Sequence, residues 1–240
     1  MLRIYRAILA LAGGPTIIGR RAILGCLFLS FLLPIGAQGD DVQLVNGRKI
    51  DPRRYEGYEG SPYQFADWPR GNIITTNYHR FYDIALNYNS YTGEFEVRNR
   101  DEYIELEPSY YLRIELPVTT AAGEPDTLLF QKGLMPGKPQ DFHQLIYLTR
   151  EMILLKQWVS LVDKIKVNNV SEIVEERKFK SRFFYYLIAN GQVYTIKLGS
   201  NRVWKLLGIK KQARDFIERE QLETKEEEDF IRVLEHFGTT

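Results

Sequence analysis

Five glutamates, Glu94, Glu96, Glu102, Glu105 and Glu107, form the one carboxylate-rich group on segments that read as strands. A pair of such carboxylates about 5 to 10 Å apart serves a glycosidase, one as acid and the other as base or nucleophile. These five fall on the alternate, polar positions of their segments, where period-two patterning already accounts for them. The preferred reading is an outward sheet face whose acids pair across strands with Arg98, Arg100 and Arg113. Carboxylate-dependent hydrolysis stays as the weaker reading.

Other reactive groups are sparse. His79, His143 and His236 lie in three separate sequence contexts, and a metal site or triad would need them to meet in space. No Gly-x-Ser-x-Gly elbow, phosphate-binding glycine loop or His-Glu-x-x-His motif occurs. Glu223, Glu226, Glu227, Glu228 and Asp229 read as the start of a helix, where the dipole favours acids, and not as a metal site. No catalytic residue, cofactor or metal is therefore expected. The remaining candidate is an aromatic group, Tyr63, Phe65 and Trp68, in a Gly-, Pro- and Tyr-rich segment between Arg48 and Arg70. Such apolar rings are expected to order the loop over an edge or end of a sheet. Their sharper use would be as a platform for a sugar.

The first 39 residues carry Arg3, Arg6, Arg20 and Arg21 and no acid, followed by an apolar block from Ala22 to Ile35 and small residues at Gly36, Ala37 and Gly39. That is the layout of a cleavable signal, and the block is shorter than the roughly 20 residues of a spanning helix. No stable membrane span is expected after cleavage. Cys26, the only cysteine, would leave with the signal, removing disulfides and thiolate chemistry. An exported chain without disulfides fits a bacterial periplasm or cell surface. Removing those four arginines leaves 28 basic against 31 acidic residues, a net of −3, which does not favour nucleic acid.

The elements that must position these residues are mostly strands. Asn72 to Leu116 alternates tyrosines and branched aliphatics with charge. Tyr82, Ile84, Leu86 and Tyr88 share one face, as do Phe95 with Val97, Ile104 with Leu106, and Tyr110, Leu112, Ile114 and Leu116. Turns are expected at Ser90–Gly93 and Asn99–Asp101, giving a meander. Asp41–Asn46 reads as a first strand closed by Asn46-Gly47, and Thr127–Phe130 as another. Residues 144–162 are compatible with one buried helix or with paired strands joined by Thr149-Arg150-Glu151; the strand formers of Gln157–Val167 favour strands. Asn190-Gly191 closes a hairpin over Arg182–Leu198. Phe183, Tyr185 and Leu187 share a face with Tyr194, Ile196 and Leu198, while Phe184, Tyr186 and Ile188 share the other with Val193 and Thr195. Both faces are apolar, so cover on both sides is expected. Beyond Gly199 the period becomes helical, with Ser200 as a cap, Gly208 as a break and Thr224-Lys225-Glu226-Glu227 as a capping box.

The succession Gly60-Ser61-Pro62-Tyr63, Trp68-Pro69-Arg70-Gly71, Leu86-Asn87-Tyr88-Asn89 and Glu94-Phe95-Glu96-Val97 resembles a group of exported proteins of Bacteroidota. Phe184-Tyr185-Tyr186-Leu187, Asn190-Gly191, Lys205-Leu206-Leu207-Gly208 and the Glu-Glu-Asp helix are similar to the same group. The resemblance implies envelope export and a β-rich body with a helical tail, and no mechanism.

The expected fold is α+β: a mostly antiparallel twisted sheet, as a partial barrel or open sandwich, with two or three short C-terminal helices. The segments would be a signal over 1–39, a β domain over 40–199 and a helical segment over 200–240 packed on the sheet. The expected function is non-catalytic binding or scaffolding in a cell envelope, the partner a protein or glycan; a carbohydrate-binding module is the alternative.

Overall fold

In the computed structural model, residues 46–119, 123–168 and 173–238 are described. The strands are β1 (Gly47–Ile50), β2 (Tyr58–Glu59), β3 (Arg70–Thr75), β4 (Arg80–Asn89), β5 (Glu94–Asn99), β6 (Glu102–Leu106), β7 (Tyr111–Thr119), β8 (Pro125–Gln131), β9 (His143–Leu148), β10 (Met152–Asn168), β11 (Ile173–Ala189) and β12 (Gln192–Ile196). Three helices follow: α1 (Asn201–Leu206), α2 (Lys210–Glu220) and α3 (Glu227–Phe237). The fold is α+β. Among the described residues no helix is long and apolar enough to cross a membrane.

The strands form one sheet in the order β1-β6-β5-β4-β3-β7-β8-β9-β10-β11-β12. Every neighbour pair is antiparallel except β2, which runs parallel to β11 at Arg177 and Lys178. The sheet curls. Ser160 on β10 donates its N–H to Ser90 O at 2.8 Å, and the two seryl oxygens sit 2.6 Å apart. Those contacts stitch β10 to the turn after β4, while among the described residues β1 and β12 are the end strands.

Strand β4 lies between β3 and β5 and is bent. Asp83 has φ 57°, a conformation that interrupts regular pairing. β4 pairs with β3 on both sides of the bend, through Arg80 and Phe81 and again through Ile84 and Ala85, and from Leu86 onward it pairs with β5. The bend also resets the alternation: Ile84, Leu86 and Tyr88 are buried as expected, whereas Tyr82 is 62% exposed. The concave interior then fills with rings. Phe95 lies 5.0 Å from Phe130 and 5.1 Å from both Tyr88 and Phe142, at the edge-on and tilted angles that aromatic pairs prefer.

The segment 144–162 is extended, with Thr149-Arg150-Glu151 connecting β9 and β10, so the strand formers prevailed over a helix there. Asn190 and Gly191 turn the β11–β12 hairpin at φ 52° and 72°, both positive as a type I′ turn requires. The predicted register holds, Tyr185 opposite Ile196 and Leu187 opposite Tyr194. Phe183 keeps its pairing, opposite Trp158, but not the expected burial. It is exposed because the helices cover only the Ala189 end of this face.

That cover is a second core. Leu154, Tyr185 and Leu187 from the sheet meet Val203, Trp204, Ala213, Phe230, Val233 and Leu234 from the helices. Trp204 and Phe230 pack at 4.9 Å between ring centroids. Ser200 caps α1 through Arg202 N, and Gly208 breaks the chain at φ 74°. The Thr224 capping box does not form: Glu226 is the N-cap without a side-chain bond, and Asp229 instead accepts from Glu223 N at 2.7 Å. Asn46-Gly47 is the entry to β1 and not a turn, since Glu107 donates its N–H to Asn46 O and Gly47 pairs with Leu106. Asp41–Val45, the signal expected over 1–39 and the start of the segment 40–199 lie outside the described residues.

Candidate functional site

The loop from Asp51 to Pro69 lies over the polar face of β4 and β5. Backbone bonds seat it: Gln64 N to Tyr88 O, Ser90 N to Pro62 O and Leu86 N to Pro69 O, each 2.9 Å. Asn87 adds its side-chain amide to the carbonyls of Phe65 and Asp67, at 2.8 and 3.0 Å. The amides of a strand that alternates apolar and Asn residues are thus used to dock a loop, and not to face water.

Beneath this loop sits Glu96, 0% exposed. Its Oε1 accepts from Asn89 Nδ2 at 2.7 Å and from Arg54 Nη2, and its Oε2 accepts the Tyr63 hydroxyl at 2.8 Å. A buried carboxylate costs several kcal/mol unless paired and hydrogen-bonded, and this one is both. Burial works against the Arg54 charge, but Glu96, Tyr55 and Tyr63 around it together raise its pKa. Burial, then Glu96, pushes the Tyr63 hydroxyl up, so it stays a donor. The five glutamates therefore divide. Glu96 is interior, and Glu96, Glu102 and Glu105 meet Arg54, Lys49 and Arg48 from the loop and β1. Arg113 donates to Gln131, and the Arg98 guanidinium lies 5.8 Å over the Trp68 ring.

The expected aromatic group is brought together in part. Tyr63 and Trp68 are 5.4 Å apart at 55°, half-buried, and Phe65 is half-buried nearby in sequence with its N–H on Asn87 Oδ1. The rings extend well beyond this pair. Trp68 meets Tyr103 of β6, Tyr63 meets Tyr55, and Tyr55 meets Tyr58, Tyr91 and Phe179 of β11. Tyr58 stacks on Phe179 at 5.0 Å and 20°. The result is a row of seven rings from β6 to β11, with Arg54, Arg98 and Arg177 each over one of them. Sequence reasoning missed Arg54 with Tyr55, Asn89 and Phe179, which come from three separate segments of the chain; the repeated Tyr-Glu-Gly at Tyr55 and Tyr58 was the available signal.

A second charged group is interior. Lys132, 4% exposed, donates to Pro108 O at 2.6 Å, lies 4.3 Å over the Phe142 ring and stands 4.0 Å from Glu94 Oε2. Burial lowers Lys132 to about 8 and raises Glu94 to about 7. Glu105, Asp141 and Glu107 push Glu94 further up. The lysine ties β8 to the turn between β6 and β7, so its place is that of a strut.

The histidines stay apart. His79 is exposed, His143 is buried with its ring nitrogen toward Asp141 O, and His236 stacks on Phe216 at 4.0 Å. Among the described residues no group of His, Cys, Asp and Glu is disposed to hold a metal ion. No family model, no curated protein and no solved structure matches this chain.

Proposed function

We propose that this chain is a non-catalytic binding or scaffolding protein, exported to a bacterial cell envelope, whose partner is another protein. One observation carries the reading: the seven-ring row flanked by Arg54, Arg98 and Arg177. Tyrosine, tryptophan and arginine are the residues enriched where proteins meet, because they bury large area at small entropic cost and retain a polar handle. The saturation of Glu96 by Arg54, Asn89 and Tyr63 supports the same reading, since a carboxylate with both oxygens occupied serves the fold. Export rests on the basic and then apolar N-terminus.

A glycan is the second reading, favoured by the exposed Tyr91 ring at the end of the row. Photo-cross-linking from position 91 in intact cells separates the two. A discrete, protease-sensitive adduct supports a protein partner. Adducts confined to polysaccharide, with affinity lost in Trp68→Ala, would replace that reading by the carbohydrate module; no adduct of either kind would overturn both.

A further inference from the structure

Strand β11 has a neighbour along the whole of one side and along only part of the other. β10 accompanies it from Ile173 to Ala189. On the other side β12 takes Tyr185 to Ala189, β2 takes Arg177 and Lys178, and the Gly60 backbone passes in contact with Phe179 O. Between these, Lys180 to Phe184 have no strand beside them, and among the described residues no backbone bond from a loop reaches them. All five are exposed, so the cover expected on both faces of the hairpin stops short of Phe183 and Phe184. The interior of a long strand is thus an open edge of about 17 Å. Alternate residues of an antiparallel strand turn both N–H and C=O away from their neighbour, so two or three of these five present unpaired groups outward.

We propose that this window receives an extended segment of a partner protein, added as a strand, in which acids alternate with apolar residues. The side chains around it set that pattern. Arg177 to Phe184 holds four cations, Arg177, Lys178, Lys180 and Arg182, and no acid. Lys178 and Lys180 pair with Glu59 and Asp163, whereas Arg182 has no ion pair among the described residues. Lys180 and Arg182 share one face of β11, so a guest strand places acids beside them at every second position. Its intervening side chains fall on the other face, beside Ser181 and Phe183. There the Phe183 ring, 5.5 Å from Trp158, is 52% exposed and gains cover from apolar residues. The same cations disfavour a second copy as the guest. Antiparallel pairing centred on Ser181 would set lysine against arginine, and like charges directly opposite destabilise a sheet. The window opens beside Phe179, where the seven-ring row ends, which lets one partner engage both. The inference rests on the reading of a protein partner.

A labelled ten-residue peptide of alternating Glu and Val, compared with its Lys–Val counterpart by fluorescence anisotropy on the full chain, tests the proposal. The Glu–Val peptide is expected to bind at least tenfold tighter, to lose that affinity when its backbone nitrogens are methylated, and to slow amide exchange at residues 180–184. Arg182→Glu should weaken binding at least tenfold with the circular dichroism spectrum unchanged, and Lys205→Glu, exposed on α1, should leave it intact. No binding, binding indifferent to methylation, or protection elsewhere would overturn the proposal. So would protection of 180–184 without peptide: at every concentration it would mean that the chain's own N-terminal residues fill the window, and at high concentration alone that a second copy does. The peptide assay reads the window by itself, so it and the cross-linking from position 91 succeed or fail separately.

Discussion

Tyr63 donates its hydroxyl to Glu96 at 2.8 Å, so a ring of the covering loop is anchored to a strand carboxylate that is wholly shielded from water. The loop and the sheet face are thereby one structure. Breaking a buried pair leaves its partner charge uncompensated and costs about 3 kcal/mol. Glu96→Gln should show that loss as a lower urea midpoint, whereas Glu96→Leu combined with Arg54→Leu should recover most of it. Equal destabilisation in the single and double variants would show that the pair is not what holds the loop.

The Glu94–Lys132 pair gives stability an unusual pH profile. Glu94 is raised by burial from 4.5 to about 7, so the folded state holds the extra proton between those values and stability falls as pH rises through them. Lys132 is lowered by burial from 10.5 to about 8, so the folded state holds fewer protons in that range and stability recovers as pH rises from 8. Denaturation midpoints from pH 4 to 10 should pass through a shallow minimum near pH 7 to 8. Glu94→Gln with Lys132→Met should remove the minimum and cost little, since a buried pair replaced by apolar volume is often neutral.

The helical cover is held by volume. Phe230 is fully buried against Trp204, and Phe230→Ala should cost about 4 kcal/mol through the cavity it leaves. Leu206→Ala on α1, largely exposed, should change the thermal midpoint little. Similar losses for both would mean that the helices are not packed on this core.

The turn at Asn190-Gly191 isolates a backbone effect. A Cβ at Gly191 would meet nothing within 4 Å, so a substitution there is opposed only by φ 72°. Gly191→Ala should cost about 1 kcal/mol and Gly191→Asn less, because asparagine tolerates the left-handed region. Chemical denaturation of the two variants checks the order.

Much of this was legible in the residues. Period-two patterning, Asn190-Gly191 and the later change to a helical period specify a meander over β3 to β6, a hairpin and a helical tail, because each depends on neighbours within a few positions, whereas β7, expected to continue the meander, pairs with β3 and not with β6. The alternation misled at Tyr82, where the Asp83 bend shifts register, and at Phe183, which the helices do not reach.

What the chain determined by itself was the set of local shapes and the polarity of each strand face. Which polar face becomes interior was decided only when a loop some thirty residues earlier in sequence folded over Glu96, and which apolar face is covered only when the tail chose one side. Both choices join residues distant along the chain, and a strand's own pattern records that a face is polar or apolar without recording what will lie upon it.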